Sequence, residues 1–248
     1  MTGRVVLVTG GMGGIGTAIC RRLAAAQGNV VAANCLPGYD RKDEWLAGLR
    51  AEGFHNIHAA EGDVADYDSA TAMVSHVEAS IGPVDILINN AGIVRDNVLR
   101  KMSVGEWLSV IDTNLNATFN VTRNVVEGMS ERGWGRIVNL SSVNGQRGQF
   151  GQTNYSAAKA GMHGFAMALA QEVVKKGVTV NSVSPGYVAT EMLRSMRPDV
   201  LDKIIAGIPM GRLATPEEIA SLVAYLVSEE AGYITGANIA INGGMYMS

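Results

Sequence analysis

Charge, cysteine and long apolar runs are all scarce in this sequence. Only 17% of its 248 residues are Asp, Glu, Lys or Arg. So few charges leave much of the chain to a core or to subunit contacts. The charges sum to -3 at pH 7, which argues against a general nucleic-acid binder. Two cysteines, Cys20 and Cys35, are too few for a disulfide framework, and their spacing suggests no metal site. Both are expected as reduced, structural thiols, Cys20 on a helix and Cys35 at a strand end, in a reducing cytoplasm. The apolar run "VVLV" before the first glycines is too short for the core of a signal peptide. No other run would span a bilayer, so no membrane partner is expected. Linkers, low-complexity segments and internal repeats are also missing, which predicts a single domain over residues 1–248.

What is present is alternation. Short apolar, β-rich runs are predicted as strands at Arg4–Thr9, Asn29–Asn34, Ile57–Glu61, Val84–Asn89, Gly135–Leu140, Thr179–Ser184 and Asn238–Asn242. Several are apolar throughout, as strands covered by helices on both faces should be. Stretches with helical apolar spacing lie between them. The pattern predicts an α/β fold, a doubly wound parallel sheet of about seven strands. From Gly186 to Arg212 the alternation breaks. An insertion there would sit beyond a strand's carboxyl end, where such sheets bind ligands. Residues 187–212 are expected to form a helical lid, hinged at Pro185–Gly186, with Met192, Leu193 and Met196 on a soft apolar face.

"VLVTGGMGGIGTAI" places five glycines within residues 10–16, between the first strand and the first helix. Gly10, Met12, Gly13, Gly14, Ile15 and Gly16 then form a sharp turn with exposed amides at a helix start, which suits a dinucleotide pyrophosphate. An NAD-specific site would carry Asp or Glu about 20 residues later, at the end of the second strand. Asn34 and Cys35 stand there instead. Asn34 would not repel a 2'-phosphate, and Arg41 and Lys42 could pair with one, so NADPH is the expected cofactor. Asp63 and Val64, after the third strand, could hold the adenine.

Other strand ends bring chemistry to the same edge. "NNAG" supplies Asn90, Ala91 and Gly92, small enough for a cofactor to approach the backbone. "NLSSVNG" delivers Ser142 to the rim. Asn114 sits in a long helix, where it could cap a kink or hold a water. Tyr155 and Lys159 are one helical turn apart and share a face.

In this order, Thr9–Gly10, Gly14, Gly16, Asn89–Gly92, Asn114, Ser142, Tyr155-x-x-x-Lys159 and "PGYVATEM" from Pro185 resemble the short-chain dehydrogenase/reductase family over essentially the whole chain. The resemblance implies a Rossmann-type fold and hydride transfer between a nicotinamide and a carbonyl. It makes Tyr155 the acid in reduction and the base in oxidation. Lys159 would favour tyrosinate and hold the nicotinamide ribose, Ser142 would donate to the carbonyl oxygen, and Asn114 would hold a relay water. Pro185, Gly186 and Val188 would border the cofactor. Within the family, "SSVNGQRGQFGQTNYSAAKAGMHGF", "GIVRDNVLRKM" and the C-terminal stretch look more like acetoacetyl-CoA reductases of polyhydroxybutyrate synthesis than like 3-oxoacyl-carrier-protein reductases. That implies an acyl-CoA thioester reduced to (R)-3-hydroxybutyryl-CoA, with Asp96, Lys101, Gln149, Phe150, Gln152 and Tyr187 near the substrate.

The physical reading agrees with this. Two glutamines and Phe150 suit a short acyl group better than a long tail. Arg95, Arg100, Lys101 and Arg147 border the pocket mouth and would attract phosphates, on a CoA or on an acidic carrier protein. A non-catalytic NADPH-binding scaffold would lack Tyr155 or Lys159; both are present. The resemblance also implies a homotetramer. The small-residue faces of the Tyr155 helix and of the Asn114 helix are the expected packing surfaces.

Overall fold

The computed structural model describes residues 3–26, 28–194 and 196–247, the side chains of Met192 and Arg194 excepted. In chain order the elements are β1 (Val5–Val8), α1 (Gly14–Ala24), β2 (Val30–Cys35), α2 (Lys42–Ala51), β3 (Ile57–Glu61), α3 (Tyr67–Ser80) and β4 (Ile86–Asn89). Then come α4 (Val104–Ile111), a π turn (Asp112–Asn116), α5 (Ala117–Glu131), β5 (Gly135–Leu140), α6 (Val143–Arg147), α7 (Thr153–Val173) and β6 (Val178–Pro185). Finally come α8 (Glu191–Arg194), α9 (Pro198–Ala206), α10 (Pro216–Leu226) and β7 (Asn238–Ile241). All seven expected strands are there, β3 and β5 with the expected bounds. They form one parallel sheet in the order β3-β2-β1-β4-β5-β6-β7.

The strands are rich in apolar residues because most of them feed two cores. Val6, Val8, Val31, Ile86 and Ile88 point to the face covered by Ile19 and Leu23 of α1 and by Ile219, Val223 and Leu226 of α10. Leu7, Ala32, Leu87 and Ile137 point to the opposite face, under Met73 and Val77 of α3, Val121 and Val125 of α5, and Ala166 and Ala170 of α7. Adjacent residues alternate faces, and both faces are covered. Each large side chain buried this way contributes roughly 1.5–3 kcal/mol against staying in water. Cys20 and Cys35 are free, buried thiols, on α1 and at the end of β2. Burial pushes the Cys20 thiol far up, which keeps it protonated.

The sequence pattern predicts one long helix through Asn114; the structure has it from Val104 to Glu131, with a π turn at Asn114. Asn114 Nδ2 donates to the carbonyl of Val110, four residues earlier, at 2.9 Å. That side chain takes an acceptor that a backbone N–H uses in an uninterrupted helix. The backbone widens into the π turn at this point. Among the described residues no helix is long and apolar enough to cross a membrane.

Candidate active site

The strand order reverses between β1 and β4, so a crevice opens at their carboxyl ends. Thr9 laces its two sides together. Its Oγ1 accepts the backbone N–H groups of Asn90 at 2.9 Å and Ala91 at 3.0 Å. Asn90 Nδ2 donates back to the carbonyls of Thr9 and Gly10, at 2.9 and 3.0 Å. Gly10 adopts φ +58°, and a Cβ there would stand 2.9 Å from Ala91 Cα. A Cβ on Gly16 would stand 2.3 Å from the Gly10 carbonyl oxygen. These two glycines therefore let the start of α1 press against the end of β4.

Gly13 is the N-cap of α1; no side chain caps that helix and no acid lies in its first turn. By contrast α3, α4 and α10 are capped by Asp66, Ser103 and Thr215. The start of α1, with Gly13 and Gly14 exposed and Met12 and Ile15 half-buried beside them, keeps its amides and positive end open. This cradle fits a pyrophosphate. Thr190, after β6, crosses over it: a Cβ on Gly14 would stand 3.1 Å from Thr190 Cγ2.

Around the expected adenosine end the structure corrects the sequence reading. Asn34 does not face outward. It is buried, its Oδ1 accepts the Gly10 N–H at 3.1 Å, and its Nδ2 faces the carbonyls of Cys35, Ala60 and Gly62. Asn34 thus ties the glycine loop to the end of β3. Lys42 is held by the Glu61 carboxylate, which also accepts the Gly38 N–H at 3.0 Å. The Lys42–Glu61 hydrogen bond raises the pKa of Lys42 and lowers that of Glu61. Arg41 is exposed, with Glu44 a loose 3.9 Å away. The Asp63–Val64 turn is braced by Asn120 of α5, whose Nδ2 donates to the Val64 carbonyl at 3.0 Å.

Ser142, Tyr155 and Lys159 meet at the rim beyond β5. Ser142 is the N-cap of α6 and accepts the Asn144 N–H at 3.1 Å. Its hydroxyl lies beside the Tyr155 phenol. Lys159 is buried; its Nζ donates to the Leu140 carbonyl at 2.7 Å and lies 5.6 Å from the centre of the Tyr155 ring. Burial pushes Lys159 down to about 8. Tyr155 moves the other way from the expected lowering. Burial raises it, the neighbouring Ser142 hydroxyl partly offsets this, and the charge of Asp96 adds to the rise. The phenol is therefore held protonated at neutral pH.

Asn114 joins this group, with its side chain already committed. Oδ1 accepts the Ile93 N–H at 3.0 Å and Nδ2 donates to the Ile93 carbonyl at 2.9 Å, besides Val110. It fixes the segment after Gly92, where a Cβ would stand 2.4 Å from Asn114 Oδ1 and 3.5 Å from Lys159 Nζ. Its Nδ2 is spent on backbone carbonyls.

A polar chain lines the mouth. Asn144 Nδ2 donates to Gln152 Oε1 at 2.9 Å, and Gln152 Nε2 donates to Asp96 Oδ1 at 2.8 Å. Phe150 stands 87% exposed beside the exposed Gln149, between Gly148 and Gly151, both with positive φ. Lys101 is exposed in the short turn Leu99–Lys101. Pro185 ends β6, Gly186 packs against Asn242, and buried Val188 bridges to Ala214. Tyr187 lines a cavity of about 320 Å³ with Ile208, Met210 and Arg212; Ser142, Tyr155 and Lys159 do not line it.

Residues 4–201 match the family described as short chain dehydrogenase. The chain belongs to that family. Over 247 residues, all of both chains, it is 62% identical to an acetoacetyl-CoA reductase of Cupriavidus necator. It is 57% identical to an acetoacetyl-CoA reductase of Allochromatium vinosum, over 98% of this chain and 99% of the relative. A 3-oxoacyl-[acyl-carrier-protein] reductase of Pseudomonas aeruginosa is 42% identical, over 100% of this chain and 99% of the relative. As a short-chain dehydrogenase the protein is an oxidoreductase that works with a nicotinamide cofactor, and the crevice described above fits one.

Three supporting residues of this short-chain dehydrogenase escape a reading of the sequence. Asn154 is buried; it accepts the Tyr155 N–H at 2.8 Å and donates to the Arg95 carbonyl at 3.0 Å, which fixes where α7 begins. Its place at a helix start was the available signal. Asn144 and His163 leave no such mark, because their partners are distant in sequence.

Proposed function

We propose that the protein is an NADPH-dependent acetoacetyl-CoA reductase that forms (R)-3-hydroxybutyryl-CoA, acting in the cytoplasm as a homotetramer. The observation that carries this is identity: 62% and 57% to acetoacetyl-CoA reductases over the full chain, against 42% to a carrier-protein reductase. The site supports it. The Ser142 and Tyr155 hydroxyls are neighbours at the rim, where both can turn to one carbonyl oxygen.

When bound, the nicotinamide supplies the hydride. Ser142 donates a hydrogen bond to the ketone oxygen as negative charge develops there. Tyr155 gives its phenolic proton to the same oxygen, so the ketone becomes a hydroxyl. Because burial holds the phenol in its protonated form, the acid is ready at neutral pH. Lys159 places a cation beside the phenolate left behind and a donor at the nicotinamide ribose. Asn114 keeps the Gly92–Ile93 backbone in place beneath both. Arg41 would hold the 2'-phosphate, and no acid replaces Asn34 or Cys35 to repel it.

Steady-state kinetics tests this. Acetoacetyl-CoA should give a higher kcat/KM than acetoacetyl carrier protein, and NADPH a higher value than NADH. The reverse order of acyl carriers would make the protein a carrier-protein reductase. In Tyr155→Phe, kcat should fall at least about 10²-fold with NADPH affinity kept; a loss under tenfold would remove Tyr155 as the acid.

A further inference from the structure

Behind Lys159 runs a line of polar side chains that the proposed reaction leaves unused. His163 lies four residues after Lys159 on α7, one turn further on the same face. Its Nε2 is 2.7 Å from Ser141 Oγ and 3.2 Å from Ser184 Oγ. Ser141 Oγ is 2.8 Å from the Lys159 carbonyl oxygen, and Ser184 Oγ is 2.8 Å from Asn238 Oδ1.

Counting protons gives each bond its direction. A carbonyl oxygen cannot donate, so Ser141 spends its one hydroxyl proton on Lys159. Its oxygen can then only accept from the imidazole, which puts the hydrogen on Nε2. The contact with Ser184 agrees: that hydroxyl donates to Asn238, and its oxygen accepts from the same N–H. Nε2 carries a hydrogen in the neutral ring of this tautomer and in the protonated ring alike, so the arrangement survives titration at Nδ1. Leu140 and Ser141 are neighbours at the end of β5. One takes the Lys159 ammonium and the other its carbonyl.

We propose that His163 is a positioning residue for Lys159. By donating from Nε2 it locks the Ser141 hydroxyl onto the Lys159 backbone, and so fixes the height at which the ammonium meets Tyr155. Asn238 of β7 sets the far end of the line through Ser184. The inference rests on the reading of Lys159 as the cation of the reaction.

The test uses the full-length enzyme and whichever ketone thioester the parent reduces. His163→Leu should lower kcat about tenfold, since small misplacements of a reacting group are costly, with KM for NADPH and thioester within about twofold. Ser141→Ala should do the same, and the double variant should be no worse than the poorer single one. His163→Gln, which keeps an N–H donor, should recover most of the activity. Equal losses in the Gln and Leu variants, additive losses, or an unchanged kcat in His163→Leu would overturn the proposal. Nitrogen-15 NMR of the imidazole in the parent protein gives a reading that needs no variant to fold. The hydrogen should be found on Nε2, and a ring with it on Nδ1 alone would overturn the proposal. That spectrum stands even if acetoacetyl-CoA proves not to be the substrate.

Discussion

Burial strips water from the Lys159 ammonium, and the structure returns one carbonyl, that of Leu140, and a distant thioether. The result is a pKa near 8 against an ordinary 10.5. Between those two values the unfolded chain binds more protons than the folded one, so stability contributed by this group rises with pH. Below pH 8 the buried charge costs of order 3 kcal/mol. Lys159→Met has no such titration. The stability of the variant minus that of the parent should therefore fall as pH rises from 8 to 10.5, by up to about 3 kcal/mol. Urea unfolding midpoints at a series of pH values would show it, and a constant difference would mean that the ammonium is not desolvated. Asn34 makes a second case. An Asp there would aim a carboxylate at the carbonyls of Ala60 and Gly62, which now accept from Nδ2. Asn34→Asp should unfold earlier and lose activity with both cofactors, rather than shift from NADPH to NADH. Arg41→Ala should weaken NADPH binding and leave NADH nearly untouched. A clean cofactor switch in Asn34→Asp, with parental stability, would sink this account.

The strands were legible because both faces of the sheet are covered, so most strand residues had to be apolar. The glycine loop was legible because few other reasons place five glycines at a strand–helix junction. Asn34 was misread for a physical reason: a residue at a strand end can turn inward or outward, and the neighbouring strand decides. The π turn at Asn114 was hidden because α4 and α5 carry the same apolar period. Only the side chain's competition for the Val110 carbonyl reveals it. The segment after β6 was half legible. It does form helices, α8 and α9, and α9 buries no residue fully. Met192, one of the three residues expected on its apolar face, lies outside the described side chains. Its base is clasped, because Ala189 N donates to the Ala214 carbonyl at 2.8 Å and Ala214 N donates to Tyr187 at 3.0 Å. Gly186 N also donates to Ile241 in the sheet. A lid would then be confined to residues 190–207. Its amides should exchange faster than those of β5, and gain protection when NADPH and acetoacetyl-CoA are added together to Tyr155→Phe. Protection equal to β5 in the free protein would mean a fixed helix pair.

Among the exposed large apolar side chains, two groups lie away from the candidate active site. One lies on α4 and α5, where Val104 is 75% exposed, Leu108 49% and Phe119 51%, with Tyr67 of α3 stacked on Phe119 at 6.2 Å. The other lies toward the C-terminal end of the chain, where Tyr233 is fully exposed, and Met167 of α7 stands next to Gly236. A monomer gains nothing by leaving both in water. Two separate self-complementary patches generate a tetramer with two kinds of twofold contact, whereas a single patch would stop at a dimer. Light scattering at micromolar concentration should therefore give four times the 26.1 kDa chain mass. Phe119→Asp and Tyr233→Asp should each halve that mass, because each leaves the other contact intact, and the double variant should be monomeric. A parent protein that runs as a monomer would end the proposal. If either single variant falls directly to a monomer, the two patches belong to one interface and the twofold scheme is wrong.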